Sequence, residues 1–304
     1  MKSVLVKSKN KIRQPKTDVI IDIFIYITFI IAIILVVLPM LNLFALAFSD
    51  GEVNSAVTFL PMVGGTSGAT FGFSFKAFEY VFEDGGFFNS FKNTIIITLV
   101  VTIFSNLLMA LAAYPLSKPD FPFKKIIMTF FIITMLFSAG VVPSYLLMSS
   151  MHLTEKISGV ILMSISNVFN LLLFKTTFEG LPKELEEAAT IDGAGSFRLF
   201  FNIIIPMALP TFATCCFFTI VSCINSYGGA LLLIRTNDAA KPMALYIYEL
   251  LNIGSSNITD PFFMMNQQNI QAATIVLSII PILIIYPFIF RYIKSGLTIG
   301  SVKG

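Results

Sequence analysis

Six apolar runs, each long enough to cross a lipid bilayer, constrain what this chain can fold into. A helix that spans the hydrocarbon core needs about 20 mostly apolar residues. The runs lie at residues 19–48, 91–114, 126–149, 157–177, 207–234 and 271–293. Charged residues make up 12% of the 304 residues, against about 25% in soluble domains. The sequence therefore predicts an all-α, polytopic membrane protein with about six transmembrane helices.

The segments around these runs divide the chain into regions. Residues 1–18 form a basic arm, and residues 49–90 form an outer loop with a short helix from about Phe75 to Asp84, capped by Ser74. Residues 91–293 form the membrane core, and residues 294–304 form a polar tail. The first run, 19–48, is far longer than the roughly 7–15 residues of a signal-peptide core. We therefore expect an uncleaved anchor helix at the start of the chain.

Lysine and arginine residues set the expected orientation, because basic loops stay in the cytoplasm. Most of the 20 lysines and arginines lie in residues 1–18, 115–125, 175–206 and the C-terminal end from Arg291. The exceptions are Lys76, Lys92, Lys156, Arg235 and Lys241. We therefore expect both termini and segment 178–206 in the cytoplasm.

The residue content excludes several classes of function. No G-x-x-x-x-G-K-[ST] sequence occurs, so the chain lacks the P-loop that cradles ATP phosphates. The single histidine, His152, excludes an H-E-x-x-H metalloprotease. Cys215, Cys216 and Cys223 lie in one apolar run and indicate neither a metal site nor a disulfide framework. A net charge of +3 is too small to indicate nucleic-acid binding, so we expect a non-catalytic chain without a cofactor of its own.

Segment 178–206 is a polar interruption between the fourth and fifth runs. Pro182 suits the first turn of a helix, and three glutamates follow near the positive end of the helix dipole: Glu184, Glu186 and Glu187. Gly193 permits a sharp turn or a positive φ angle, and a second helix runs on to Pro206. The segment predicts a short surface helix with a smooth alanine face, which suits docking into a groove on another protein.

The spacing of this segment resembles the EAA loop of the membrane permeases of binding-protein-dependent ABC importers. The matching positions are Glu187, Ala188, Ala189, Gly193, Ile203 and Pro206, with Ile205 where the family usually has leucine. The resemblance implies a type I ABC importer permease fold and docking of the loop on a cytoplasmic ATPase. It assigns ATPase coupling to Glu187, Ala188, Ala189, Asp192, Gly193 and Pro206.

The same resemblance implies the partners of the chain. They are a second permease subunit, two ATP-binding subunits that hold ATP and magnesium, and an external solute-binding lipoprotein, in a bacterial cell membrane. Residues Gly296–Gly304 resemble the end of the sugar-importer branch, in particular its second, maltose-type permease subunit. This implies a sugar or oligosaccharide cargo. From the residues alone, the tail equally suits a frayed terminus.

Polar residues inside spans are costly unless they face a pathway or a neighbouring helix. We therefore expect substrate-pathway residues at Asn225, Ser226 and Tyr227, and secondarily at Asn167 and Asn170. Hydrogen bonding between helices is the alternative for each of them. Sugar-branch relatives carry a tryptophan–asparagine segment near residues 225–227, whereas this chain has no tryptophan. Tyr227 or a phenylalanine is the remaining candidate for stacking on a sugar ring.

Other functions stay open on the residues alone. A self-contained secondary carrier usually shows internal repeats with charges in the membrane, and such charges are nearly absent here. An intramembrane enzyme needs acid pairs or Ser/His dyads at membrane depth, whereas Asp22 alone lies near the end of a run. An ABC importer permease for a non-sugar solute would use the same coupling segment.

Overall fold

The computed structural model describes residues 16–51, 58–64, 70–83, 85–252 and 260–300, and these are mostly helical. The helices are α1 (Lys16–Ala47), α2 (Lys76–Glu83), α3 (Gly85–Ser117), α4 (Lys124–Leu136), α5 (Val141–Ser150), α6 (Ile157–Ser164), α7 (Val168–Glu179), α8 (Lys183–Ile191), α9 (Ser196–Met207), α10 (Leu209–Asn225), α11 (Gly228–Leu233), α12 (Met243–Asn252) and α13 (Pro261–Gly300), with a 3-10 turn at Asp238–Ala240. Strands β1 (Met62–Val63) and β2 (Thr70–Phe71) pair antiparallel within the outer loop.

Parts of the predicted regions lie outside the described residues. These are most of the basic arm (1–15), parts of the outer loop (52–57, 65–69 and 84), residues 253–259 and the last four residues of the tail. Within the outer loop, the expected short helix is present as α2. The N–H of Lys76 donates to Ser74 Oγ at 3.4 Å, as expected for the cap.

Helices able to cross a membrane are present in the expected number. Among the described residues, single helical stretches long and apolar enough to span a membrane lie in α1, α3 and α13, at Ile21–Ala47, Gly85–Ser117 and Asn266–Phe288. The bent pairs α4–α5, α6–α7 and α9–α10 add three more spans when each pair is taken as one. The prediction of an all-α membrane protein with about six spans is confirmed.

Helix α3 lies at the centre of the described structure and packs against α6, α7, α10 and α12. Several of its residues are fully buried, and most of them are small: Val101, Ser105, Asn106, Ala110 and Ala113. Small side chains let neighbouring helices approach closely, which is how membrane helices gain packing contacts. The helix continues past Pro115 to Ser117, beyond the end at Tyr114 that the sequence predicts.

Two apolar clusters mark opposite ends of α3. The first joins the C-terminal half of α3 to α7, α8, α9 and the start of α10. The second joins the N-terminal end of α3 to α2, α12, the C-terminal end of α1 and the N-terminal half of α13. Segment 178–206 and the α1–α13 contact therefore lie at opposite ends of the bundle.

The third apolar run, expected as one span over 126–149, is broken near its middle, at residues 137–140. Helices α4 and α5 meet at 110°, across the residues before Gly140, which has φ +88°. A side chain at that φ would be strained, whereas glycine adopts it freely. Pro143 falls in the first turn of α5, where a missing N–H leaves no hydrogen bond unmade. The sequence predicts that Pro143, later in this run, kinks or ends the helix; the break lies before Gly140 instead.

The fifth run, expected as one span over 207–234, is interrupted in its C-terminal half. Helix α10 ends at Asn225, Ser226 is extended at φ −85° and ψ 115°, and α11 starts at Gly228. Two consecutive glycines, Gly228 and Gly229, lower helix propensity at this point. The polar residues 225–227 consequently lie in a break between helices rather than inside a regular one.

Prolines explain the bend between α9 and α10. Pro206 and Pro210 each lack the N–H that would bond the carbonyl four residues earlier. A π-helical turn at Phe200–Ile204 precedes Pro206, and the two helices meet at 80°. Segment 178–206 therefore joins α10 through a sharp bend flanked by two prolines.

Candidate functional site

Helix α8 is a short helix with little of its surface buried. Pro182 is its N-cap residue, at φ −62° and ψ 123°. The sequence predicts that Pro182 lies in the first turn, whereas the helix starts one residue later, at Lys183. Glu184 and Glu186 lie in the first turn, where carboxylates interact favourably with the helix dipole. Ala189 is the single buried side chain described for α8.

The C-terminal end of α8 forms a Schellman motif around Gly193. The N–H of Ala194 donates to Ala189 O at 3.0 Å, and the N–H of Gly193 donates to Thr190 O at 3.1 Å. This pair of hydrogen bonds requires a left-handed residue after the cap, and Gly193 has φ +78°. A Cβ placed at Gly193 would meet nothing within 4 Å. Glycine is needed here for its backbone conformation and not for close packing.

Two faces of α8 have different roles. Glu186 and Ala189 are three residues apart and point inward on one face; Ala189 is 8% exposed and belongs to the first apolar cluster. Glu184, Ala188 and Ile191 lie on the opposite, exposed face. The expectation of one smooth alanine face is therefore wrong, since adjacent residues of a helix point about 100° apart.

The exposed face of α8 and the start of α9 form an apolar patch bordered by acids. Ile191 is 85% exposed, Phe197 is 77% exposed and Leu185 is 46% exposed. The exposed acids beside them are Glu184, Glu187 and Asp192. Exposed apolar patches rimmed by polar residues mark protein–protein contact sites. We call these six residues the α8 patch.

The structure separates the residues to which the sequence assigned coupling. Glu187, Ala188, Asp192 and Gly193 are exposed on or beside the α8 patch. Ala189 is turned into the chain's own core. Pro206 lies away from the patch, at the elbow between α9 and α10.

The first-rank pathway residues lie at the break after α10. Asn225 and Tyr227 line a cleft of about 400 Å³ between α10, α12 and α13. The Tyr227 ring stacks on Tyr248 of α12 at 4.6 Å and 14°, while 42% of Tyr227 stays exposed. The amide of Asn225 donates to Val221 O at 2.9 Å. Ser226 lines a separate, much smaller cavity.

The second-rank residues take structural positions. Asn167 is the N-cap of α7, and its Oδ1 accepts from the N–H of Asn170 at 3.1 Å. Asn170 is fully buried. Its amide donates to Asn106 Oδ1 and to Thr219 Oγ1, both at 3.0 Å. These contacts join α7 to α3 and α10, and the geometry favours the helix-to-helix alternative for Asn170.

Sequence reasoning missed the side chains that complete these sites. Asn106 and Thr219 lie far from Asn170 in sequence, and Lys118, which pairs with Glu186, lies far from α8. Lone polar residues within α3 and α10 were a usable signal for the first two. No local pattern marks Lys118. Among the residues that the structure describes, no group of three or more His, Cys, Asp or Glu side chains is arranged to hold a metal ion.

Comparisons with known proteins agree with this architecture. The chain is 32% identical over 291 residues to the polygalacturonan/rhamnogalacturonan transport system permease protein YtcP of Bacillus subtilis (strain 168), covering 93% of this chain and 98% of that protein. A crystal structure of a bacterial ABC transporter involved in the import of the acidic polysaccharide alginate matches with a TM-score of 0.79 and 27% identity, covering 92% of this chain and 98% of the other.

A second solved structure shares the fold. It is the bacterial alginate ABC transporter in complex with an alginate pentasaccharide-bound periplasmic protein, at TM-score 0.62 and 16% identity, covering 90% of this chain and 93% of that chain. A family model described as the inner membrane component of binding-protein-dependent transport systems matches residues 105–299. The chain is therefore a multi-pass membrane permease that belongs to the family of binding-protein-dependent transport system inner membrane components.

Proposed function

We propose that this permease forms half of the translocation pathway of an ATP-driven importer for a sugar or oligosaccharide, and that α8 couples it to a cytoplasmic ATPase. The observation that carries the coupling role is the exposed α8 patch at one end of the bundle. It combines bare apolar side chains, Ile191 at 85% and Phe197 at 77% exposure, with three carboxylates. Such a surface is complementary to an apolar cleft with a basic rim.

The ATPase must be a separate chain, because this sequence contains no P-loop. ATP and magnesium then bind to partner subunits, and this permease supplies no catalytic residue. When the ATPase subunits close on ATP, α8 moves with them. The Schellman cap at Gly193 and the elbow at Pro206 transmit that motion into α9 and α10, since both fix the backbone direction where the helices meet.

We propose that the α8 end of the bundle faces the cytoplasm. It carries Lys118, Lys124, Lys125, Lys175 and Lys183, and basic residues near span ends stay on the cytoplasmic side. The C-terminal end of α1 and the N-terminal half of α13 pack together at the opposite end of the bundle. The start of α1 and the end of α13 therefore point toward the α8 side. Both chain termini are then cytoplasmic.

The proposed cargo class has two supports. The matched relative and the matched structure belong to systems that transport polysaccharides. In the cleft after α10, the exposed ring of Tyr227 lies beside the amide of Asn225, and aromatic faces with nearby hydrogen-bonding groups suit sugar rings. This pairing takes the place of the tryptophan that the chain lacks.

The remaining partners follow from the same mechanism. A second permease subunit completes the pathway, and an external solute-binding lipoprotein delivers the cargo. The alginate transporter was crystallised with its periplasmic protein, which supports a receptor on the outer side of this chain as well.

Reconstitution of the complete transporter in proteoliposomes tests the coupling role. Gly193→Pro removes an N–H of the Schellman motif and cannot adopt φ +78°, and Glu187→Lys reverses a charge of the α8 patch. We expect both variants to insert normally and to hydrolyse ATP, while uptake driven by that hydrolysis falls at least tenfold. Wild-type uptake by both variants would overturn the coupling role.

The cargo class is tested with Tyr227→Ala and, as its matched control, Tyr227→Phe. We expect the alanine variant to lose uptake of radiolabelled trigalacturonate, while receptor-stimulated ATP hydrolysis persists. The phenylalanine variant keeps the ring and should retain uptake. Equal uptake by both variants would remove Tyr227 from the pathway.

A further inference from the structure

Few side-chain contacts hold α8 against the membrane core. Of its nine described residues, Ala189 is the one that is buried. Glu186, on the same inward face, forms an ion pair with the ammonium group of Lys118. Because one small alanine buries little area, this ion pair is a large share of what attaches α8 to the other helices.

Lys118 is itself fixed at the end of α3. It directly follows Ser117, the last residue of that helix, and its N–H donates to Pro115 O at 3.1 Å. Its ammonium group lies 4.4 Å from the centre of the Tyr114 ring, a distance at which cation–π attraction operates. The Tyr114 ring in turn packs against Phe200 at 5.4 Å and Phe178 at 6.2 Å.

A second set of contacts holds the loop that carries Lys118. Lys124 Nζ donates to Lys118 O at 3.3 Å and forms an ion pair with Glu179 at 2.9 Å. Glu179, the last residue of α7, also pairs with Lys175 at 2.8 Å. The position of Lys118 is therefore fixed relative to both α3 and α7.

The surroundings of the Lys118–Glu186 pair distinguish it from an ordinary surface ion pair. Exposed pairs contribute little, because water and salt screen them and both side chains lose freedom. Here the Lys118 side chain is 34% exposed and the Glu186 side chain 20% exposed. The aromatic ring beneath Lys118 limits its freedom further.

We propose that Tyr114, Lys118 and Glu186 form a clamp that fixes α8 to the end of α3, so that movement of α8 reaches the central membrane helix. Lys118 acts as a positioning residue in this clamp and contacts neither ATP nor cargo. The inference rests on the coupling role proposed above and names the residues through which coupling passes within this chain. It adds a direct connection to α3 beside the elbow at Pro206.

The test uses the complete transporter in proteoliposomes, with cargo molecules imported per ATP hydrolysed as the readout. The variants are Lys118→Met, Glu186→Gln and the charge swap Lys118→Glu/Glu186→Lys. Lys125→Met is the matched control, since Lys125 is an exposed lysine in the first turn of α4, directly after the loop that carries Lys118. A stability defect alone lowers transport and hydrolysis together, whereas a coupling defect changes their ratio.

We expect Lys118→Met and Glu186→Gln to lower the ratio by about three- to tenfold, as loss of a half-buried charge pair predicts. The charge swap should recover at least half of the wild-type ratio, and Lys125→Met should leave it unchanged. A wild-type ratio in both single variants would overturn the clamp. So would a charge swap that stays as defective as the single variants.

The failure of the clamp is distinguishable from the failure of the coupling role. If Gly193→Pro and Glu187→Lys uncouple the transporter while Lys118→Met does not, α8 still couples and the clamp is refuted. If none of these variants alters the ratio, the coupling role of α8 itself is refuted, and the clamp with it.

Discussion

At the scale of single residues, the α8 region depends on one backbone angle. Gly193 and Gly195 are two residues apart, and a Cβ at either would meet nothing within 4 Å. They differ in conformation: Gly193 has φ +78° and Gly195 has φ −68°. Comparing substitutions at these two glycines therefore separates the effect of the backbone conformation from the effect of side-chain packing.

Gly193→Ala should loosen the C-terminal end of α8, because a side chain in the left-handed region costs about 1–2 kcal/mol. Hydrogen exchange at the amides of residues 193 and 194 measures this directly, since both donate in the Schellman motif. Gly195→Ala should leave that exchange unchanged. Equal protection in the two variants would contradict the Schellman assignment.

Glu155 ties the turn after α5 to the turn after α11. Its carboxylate accepts hydrogen bonds from the N–H groups of Arg235, Thr236 and Asn237 at 3.0–3.2 Å. Desolvation by the surrounding loops acts to raise the pKa of Glu155, but these hydrogen bonds outweigh it, and the pKa lies below the ordinary value of 4.5. The ionised carboxylate therefore stabilises the contact between the two turns.

A lowered pKa makes this stabilisation present above the ordinary value and lost as the pH falls through the folded-state pKa. We expect amide exchange at residues 235–237, corrected for intrinsic rates, to be slow at pH 7 and to rise below pH 4.5. In Glu155→Gln it should be fast at both pH values. Unchanged protection in that variant would show that the carboxylate does not hold the turn.

Sequence reasoning at the residue scale succeeded where the signal was local. The turn at Gly193 followed from glycine alone, and the helix start at Pro182 was placed within one residue. The inward direction of Ala189 depends on where α8 packs, and the Lys118–Glu186 pair joins residues from separate helices. Neither follows from spacing along the chain.

At the scale of helices, the sequence predicted the spans but not how they break. The length of an apolar run predicts that a span is present, but it does not predict a bend within the span. Three of the six spans are bent pairs of helices. The helix end predicted at Pro206 lies one residue from the observed end of α9 at Met207, whereas a kink was expected at Pro143 and the break lies before Gly140. A proline is harmless in a first turn, so its presence alone does not locate a kink.

The double variant Pro206→Ala/Pro210→Ala should straighten the elbow between α9 and α10, because alanine at both positions restores the N–H groups that a continuous helix uses. We expect uptake by the reconstituted transporter to fall severalfold while the protein still inserts. Pro143→Ala is the matched control and should transport normally. Equal uptake by both variants would show that the bend at Pro206 is not required.

The buried amide of Asn170 should contribute to holding α3, α7 and α10 together. Hydrogen bonds between membrane helices contribute about 0.6–1.7 kcal/mol each, and the Asn170 amide nitrogen has three acceptors on other helices: Asn106 Oδ1, Thr219 Oγ1 and, at 3.3 Å, Cys215 O. We expect Asn170→Ala to lower the free energy of unfolding in detergent by about 1–2 kcal/mol.

Asn225→Ala is the control for Asn170→Ala, because the Asn225 amide bonds only within its own helix in the described structure. It should unfold like the wild type and is expected to affect uptake instead. If Asn225→Ala lowered the free energy of unfolding and Asn170→Ala did not, the structural role of Asn170 and the pathway role of Asn225 would both be contradicted.

At the scale of the whole molecule, composition and charge distribution predicted more than any single motif. The apolar runs gave the fold class, and the EAA-like spacing gave the family, which the match over residues 105–299 confirms. Side chains of α1 from residue 21 to residue 41 are exposed in the isolated chain. We propose that lipid and the second permease subunit cover that apolar surface in the assembled transporter.

The central claim is that the exposed face of α8 meets an ATPase in the cytoplasm. Ala188→Cys and Ala189→Cys, in a background where the three native cysteines are serine, test it with a membrane-impermeant maleimide on inside-out vesicles. We predict labelling at 188 but not at the buried 189, with protection of 188 when the ATPase subunits are bound. Labelling of 188 from the outside, or labelling that bound ATPase does not reduce, would contradict the account.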